Sequence, residues 1–148
     1  SPCLHGTPDA DGLVAWQPLR RTEPPDFSGL AAALERPLPA AWEAYFGRYW
    51  SETLPTGGLY GRVELLQLWN PEDQERLVAN QLGHVLQRRR RGQSPSLFFA
   101  CADDPDQLYS VDLDSGAVLR EQLSRGTQRE LAASLADFLA GLKALAGD

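Results

Sequence analysis

Methionine is absent from this sequence, even at its first position. From that absence the chain is expected not to be a complete translated product, with an upstream segment before Ser1. Cysteine is scarce. Cys3 and Cys101 stand far apart and make no CxxC pair; a disulfide between them is open but unsupported, and buried free thiols in a reducing compartment are expected. No stretch approaches the roughly 18 apolar residues of a membrane span. The opening SPCLHGTPDADG has neither a basic start nor an apolar run, so no signal peptide is read there. Only two histidines occur, His5 in a leading loop and His84 inside an expected helix. Each is expected to be packed or solvated. There is no Gly-rich phosphate loop, GxSxG elbow or HExxH pair. Cys101 lies in an apolar run, where a thiol is inert. No enzyme, metal site or cofactor is expected.

What is present is ordinary for a globular chain: 148 residues, 43% hydrophobic and 23% charged. One domain spanning residues 1–148 is expected, burying roughly 68–70% of its unfolded surface. The net charge of −6 argues against nucleic acid or anionic lipid and for a basic partner. The charge is concentrated. ADDPDQLYSVDLDSGAVLRE, residues 102–121, holds Asp103, Asp104, Asp106, Asp112, Asp114 and Glu121 against one base, Arg120. It therefore carries −5 of the total. A calcium loop fails, because Gly116 comes one residue too early after Asp112 and no final acidic ligand follows. Catalytic carboxylates are not excluded by spacing alone. A solvated hairpin and a surface that receives a basic partner both remain open.

Strand and helix signals alternate along the chain. LVAWQP reads as a short strand. Asp26 or Ser28 is expected to cap a first helix over residues 30–35, and Pro37 and Pro39 interrupt it. A second helix is predicted over AAWEAYFGRYW. Trp42, Tyr45, Phe46, Tyr49 and Trp50 make an aromatic stripe at helical spacing, either core or an aromatic binding wall. GRVELLQLW reads as a central strand covered on both faces. Asn70 is the expected N-cap of the next helix, with Pro71, Glu72 and Asp73 in its first turn and Gly92 after its end. Its buried face is predicted as Val78, Leu82 and Val85. The run Arg88–Arg91 fans around the last turn and complements the dipole rather than forming a phosphate-binding face. SLFFACA is a buried strand. QLYSVDLDSGAVLREQL is a hairpin turning at Asp-Ser-Gly. Thr127-Gln-Arg-Glu130 is a capping box, leading a helix striped by Leu131, Leu135, Phe138, Leu142 and Leu145.

SPC at the start, WQP at 16–18, LLQLW at 65–69 and LGHVLQRRRR followed by SPSLFFA resemble Syd, the SecY-interacting protein family of bacteria, in the SUKH (Smi1/Knr4-like) superfamily. SGAVLRE and LADFLAGLKAL fit the same family, so the likeness runs through the whole chain in order. It implies an α/β fold of the α+β type: a single mixed, largely antiparallel sheet flanked by helices. It implies a further helical segment before Ser-Pro-Cys. It also implies a cytosolic protein, peripheral on the inner membrane, that binds basic cytosolic loops of SecY and quality-checks the SecYEG translocase through an acidic concave groove. Membrane association would be indirect, through SecY. Family members are acidic just after the strand matching SLFFA, so Asp103, Asp104 and Asp106 carry over as partner-binding residues. Asp112, Asp114 and Glu121 are expected to assist them. The superfamily also contains immunity proteins that bind bacterial toxins, which is the alternative function.

Overall fold

A computed structural model describes residues 4–5 and 15–145. Cys3 and the first two residues of the LVAWQP strand, Leu13 and Val14, lie outside the described residues; Ala15 and Trp16 of it are extended. Two short strand pairs come first: β1 (Leu4–His5) with β2 (Ala15–Trp16), and β3 (Leu19–Arg20) with β4 (Tyr49–Trp50). Between β3 and β4 lie α1 (Ser28–Leu34) and α2 (Ala40–Gly47). The main sheet is built from β5 (Leu54–Gly58), β6 (Gly61–Leu65), β7 (Ser96–Cys101), β8 (Gln107–Asp112), β9 (Val118–Gln122), β10 (Thr127–Ala132) and β11 (Lys143–Ala144). Its order is β10-β9-β8-β7-β6-β5-β11, with every pairing antiparallel. The remaining helices are α3 (Pro71–Arg90) and α4 (Leu135–Ala140). The architecture is α+β, as the sequence pattern and the resemblance both imply.

The two apolar strands are interior, and β7 is central. Strand alternation assigns the faces. Ser110 of β8 turns toward α3, where it meets Glu121. Tyr109 turns the other way, its ring 5.5 Å from that of Phe138 on α4. The core holds Leu30, Trp42, Phe46, Leu97, Phe99 and Val118, all fully buried.

β6 is shorter than GRVELLQLW suggests. It ends at Leu65, and Leu68 pairs instead with Trp50 in an isolated parallel bridge. Where β6 departs, β7 carries an irregularity between Phe98 and Ala100. Side chains take over the backbone there. Phe98 N–H donates to Oε1 of Gln81 at 3.0 Å, and Phe98 C=O accepts from Nε2 of Gln81 at 2.8 Å and Nε1 of Trp42 at 3.2 Å. Gln81 is therefore fully buried, on the same helical face as Val78 and Val85 although its side chain is polar. The buried row of α3 is Leu77, Gln81, Val85 and Arg88, with Val78 and Leu82 at its margin. The expected ends of α3 are present: Asn70 accepts from Asp73 N–H at 2.9 Å, and Gly92 follows with φ 69°.

Other expectations are corrected. Neither Asp26 nor Ser28 is the N-cap residue of α1; Phe27 is, and Asp26 acts from one position earlier, accepting from Ser28 N–H at 2.9 Å. α2 stops at Gly47, where a Cβ would come within 2.9 Å of the Pro25 ring. The chain then turns into β4, so Tyr49 and Trp50 leave the helical stripe. Thr127–Glu130 is not a capping box but the start of β10, which pairs with β9 across a turn closed by Gly126 at φ 65°. The C-terminal helix is confined to α4, capped by Ser134 accepting from Asp137 N–H at 3.1 Å.

Candidate functional site

The acidic stretch is distributed over two ends of the sheet and its interior. The β7–β8 turn presents Asp103, Asp104 and Asp106. Asp104 organises the turn: its Oδ1 accepts from Asp106 N–H at 2.9 Å, and its C=O accepts from Gln107 N–H at 3.0 Å. Asp106 ties this turn to the β9–β10 turn, accepting from Ser124 N–H at 2.9 Å and from the Ser124 hydroxyl. That hydroxyl holds the Asp106 carboxyl below its ordinary range. Asp103 is 77% exposed at its side chain, 3.9 Å from Nε of Arg62, which also pairs with Glu64. The contact to Arg62 brings the β5–β6 hairpin to the same end. The tip of that hairpin is Leu59, 89% exposed.

Asp112 and Asp114 sit at the opposite end of β8, about 20 Å away at roughly 3.3 Å per residue. Asp112 accepts from Asp114 N–H at 2.9 Å and from Ser94. Asp114 pairs with Arg36 at 2.8 Å, and Arg36 also donates to Leu113 C=O. The two carboxylates stabilise the hairpin end and do not share a surface with Asp103. The Asp-Ser-Gly turn is confirmed, but its acids serve local structure.

Glu121 is not a surface residue at all; it is 4% exposed. Alternation on β9 points it with Leu119 toward α3. It accepts from Nη1 of Arg88 at 2.7 Å, from Ser96 Oγ at 2.7 Å, from the Ser110 hydroxyl, and contacts Nε2 of His84 at 3.1 Å. Burial by itself pushes this carboxyl up. The hydrogen bond and field of His84 and the hydroxyls of Ser110 and Ser96 outweigh it and hold it at about 2. Arg88 is equally buried, and it also donates to Ser94 C=O and Gln128. The arginine run thus divides: its first member is an interior ion-pair partner.

A serine, a histidine and a carboxylate in one cluster invite a catalytic reading, which the geometry opposes. In a nucleophilic triad the acid and the serine engage different ring nitrogens. Here Ser96 and Glu121 both lie against Nε2 of His84. The adjoining cavity is only about 20 Å3. Cys101 is exposed rather than buried, but burial of its sulfur and the nearby Glu64 push the thiol up, away from the reactive thiolate. Among the described residues no group of three or more His, Cys, Asp or Glu could hold a metal ion.

The aromatic stripe is split by its surroundings. Trp42 and Phe46 are core. Tyr45 and Tyr49 line an open groove of about 540 Å3 between α2 and α4, with Arg48, Leu54, Leu135 and Leu139. The core reading of the stripe therefore holds for Trp42 and Phe46.

This arrangement is an α+β domain: an antiparallel sheet with acidic turns at both ends, an interior polar cluster in which Nη2 of Arg88 has no hydrogen-bond partner, and no helix, among the described residues, long and apolar enough to cross a membrane. The chain belongs to the family described as Syd protein (SUKH-2), which it matches over residues 1–144. It is 41% identical over 145 residues to Protein Syd of Aeromonas hydrophila, spanning 98% of this chain and 79% of that relative. It is 39% identical over 145 residues to Protein Syd of Alteromonas mediterranea, spanning 98% of this chain and 80% of that relative. Against Protein Syd of Pseudoalteromonas atlantica the identity is 36% over 141 residues, spanning 94% and 76%.

Proposed function

We propose that this protein binds basic cytosolic loops of SecY and quality-checks the SecYEG translocase, docking through the sheet end that carries Asp103, Asp104 and Asp106. On this reading it is not an enzyme, needs no cofactor and does not bind nucleic acid. It works in the cytoplasm, reaching the inner membrane only through SecY. The observation that supports the site is the geometry of the β7–β8 turn. Asp103 and Asp104 are exposed, while the bonds of Asp106 to Ser124 hold the turn in place. Exposed ion pairs are worth only about 0–1 kcal/mol each, so the acids act mainly by steering. Leu59 at the same end offers the apolar contact that steering alone lacks.

The expected result is that changing Asp103, Asp104 and Asp106 together to Asn slows association with SecY in nanodiscs roughly tenfold at low salt. It also flattens the salt dependence, since the Debye length is already about 8 Å at physiological ionic strength. The Asp103→Asn/Asp104→Asn pair, which spares the Ser124 bonds, shows most of the effect with an unchanged melting temperature. Association rates equal to the parent's at both low and high salt would remove this turn from the docking surface.

A further inference from the structure

On the sheet face where α4 packs, Leu131 and Ala132 at the end of β10 line a cavity of about 170 Å3 together with Asp137 and Phe138 of the helix. The beginning of β10 and the end of β9 present polar groups on that face. Arg120 of β9 stands directly opposite Arg129 of β10 in the ladder, and Tyr109 of β8 flanks Arg120 on its other side. Opposed cross-strand side chains have Cβ atoms about 4.5–5.5 Å apart, and like charges there are destabilising. Among the described residues, neither guanidinium is in an ion pair. Arg129 lies 5.6 Å from the centroid of the Tyr60 ring, and Arg120 hydrogen-bonds to Tyr109. Gln107, Gln122 and Thr127 join the two arginines around an open depression of about 130 Å3. Two carboxylates near this end are engaged elsewhere. Asp106 is held by Ser124, and Asp103, whose field reaches Tyr109, is nearer Arg62.

We propose that the Arg120–Arg129 pair binds one small oxyanion of the phosphate type. Two guanidinium forks can each present parallel N–H donors to such a group. An anion between them replaces a repulsion by two attractions. The Gln107 amide and the Thr127 hydroxyl supply neutral donors around it, while Gln122, which also lines the depression, hydrogen-bonds to Asp106. The net charge of −6 gives no general attraction for anions, so binding must come from this local pair. The same chemistry is offered by free phosphate and by an anionic lipid headgroup. The site shares no residue with the proposed SecY-docking turn, so that turn is tested separately, while binding to a headgroup would overturn a membrane route through SecY alone.

The test compares melting temperatures in inorganic phosphate and in chloride at equal ionic strength, alongside co-sedimentation with phosphatidylglycerol and phosphatidylcholine vesicles. The parent is expected to show a saturable phosphate-specific rise, selective sedimentation with phosphatidylglycerol, or both. The phosphate response assigns the site to free anion, and sedimentation assigns it to a headgroup. Arg120→Gln loses whichever response the parent shows. Arg129→Glu loses it too, yet melts about 1–4 °C higher than the parent in chloride, because the repulsion becomes a cross-strand attraction. The proposal is overturned by a parent that responds in neither arm, or by a folded Arg120→Gln or Arg129→Glu variant that responds like the parent.

Discussion

Replacing Glu121 by glutamine removes about 3–5 kcal/mol of folding stability, read by urea unfolding at neutral pH, because Arg88 is left as an uncompensated buried charge. Two sheet hydroxyls and His84 also converge on this carboxylate, so no single neighbour can compensate. The pH dependence has a definite sign. The carboxyl falls from its ordinary 4.5 to about 2 on folding, so folding favours the ionised form. The resulting stability is fully present above about pH 4.5 and is lost as pH falls toward 2. Its size is roughly 3 kcal/mol, at about 1.4 kcal/mol for each pH unit. The glutamine variant lacks this component, and its acid limb is correspondingly flatter. A second variant separates charge balance from packing. Arg88→Met combined with Glu121→Leu removes both charges together and is expected to be less destabilised than Glu121→Gln alone. Equal stability of parent and Glu121→Gln from pH 2 to 7 would show that the cluster does not hold α3 to β9.

Replacing Gln81 by alanine costs about 2–4 kcal/mol. The side chain pairs with both the N–H and the C=O of Phe98 where β6 has left β7. Trp42 still donates to the carbonyl, but the N–H loses its partner in a site closed to water. An orphaned buried group costs roughly 1–3 kcal/mol, and the cavity adds to it. The Phe98 amide should therefore exchange its hydrogen much faster in the variant, even under conditions where the sheet remains folded. Leucine at position 81 preserves volume but not the bonds, so it should rescue little. If Gln81→Leu is as stable as the parent and Phe98 exchange is unchanged, the side-chain bridge is not needed to seal the sheet.

These two residues show why the candidate site was only partly legible from sequence. The exposed turn at Asp103, Asp104 and Asp106 could be read, because DDPD is local turn chemistry and its groups face solvent. Glu121 could not. Its place in an acidic stretch suggests surface, but strand alternation on β9 turns it toward α3, where Arg88 waits 33 residues earlier in the chain. Gln81 was hidden for the same reason: a polar residue on a helix is assigned to solvent unless its partner is known.

The sequence by itself determined the α+β class, the central place of SLFFAC, the hairpin around Asp-Ser-Gly and both ends of α3. Each of these depends on contacts within a few residues or on continuous apolar character. Only the tertiary structure decided that Thr127–Ala132 is strand rather than helix, because β9 offers that segment a ladder of backbone partners stronger than its own capping pattern. Tertiary packing likewise ended α2 at Gly47 against Pro25. It buried Gln81, Arg88 and Glu121 by giving each a polar partner distant in sequence. It also separated Asp112 and Asp114 from Asp103, since an extended β8 places the turns before and after it at opposite ends of the sheet.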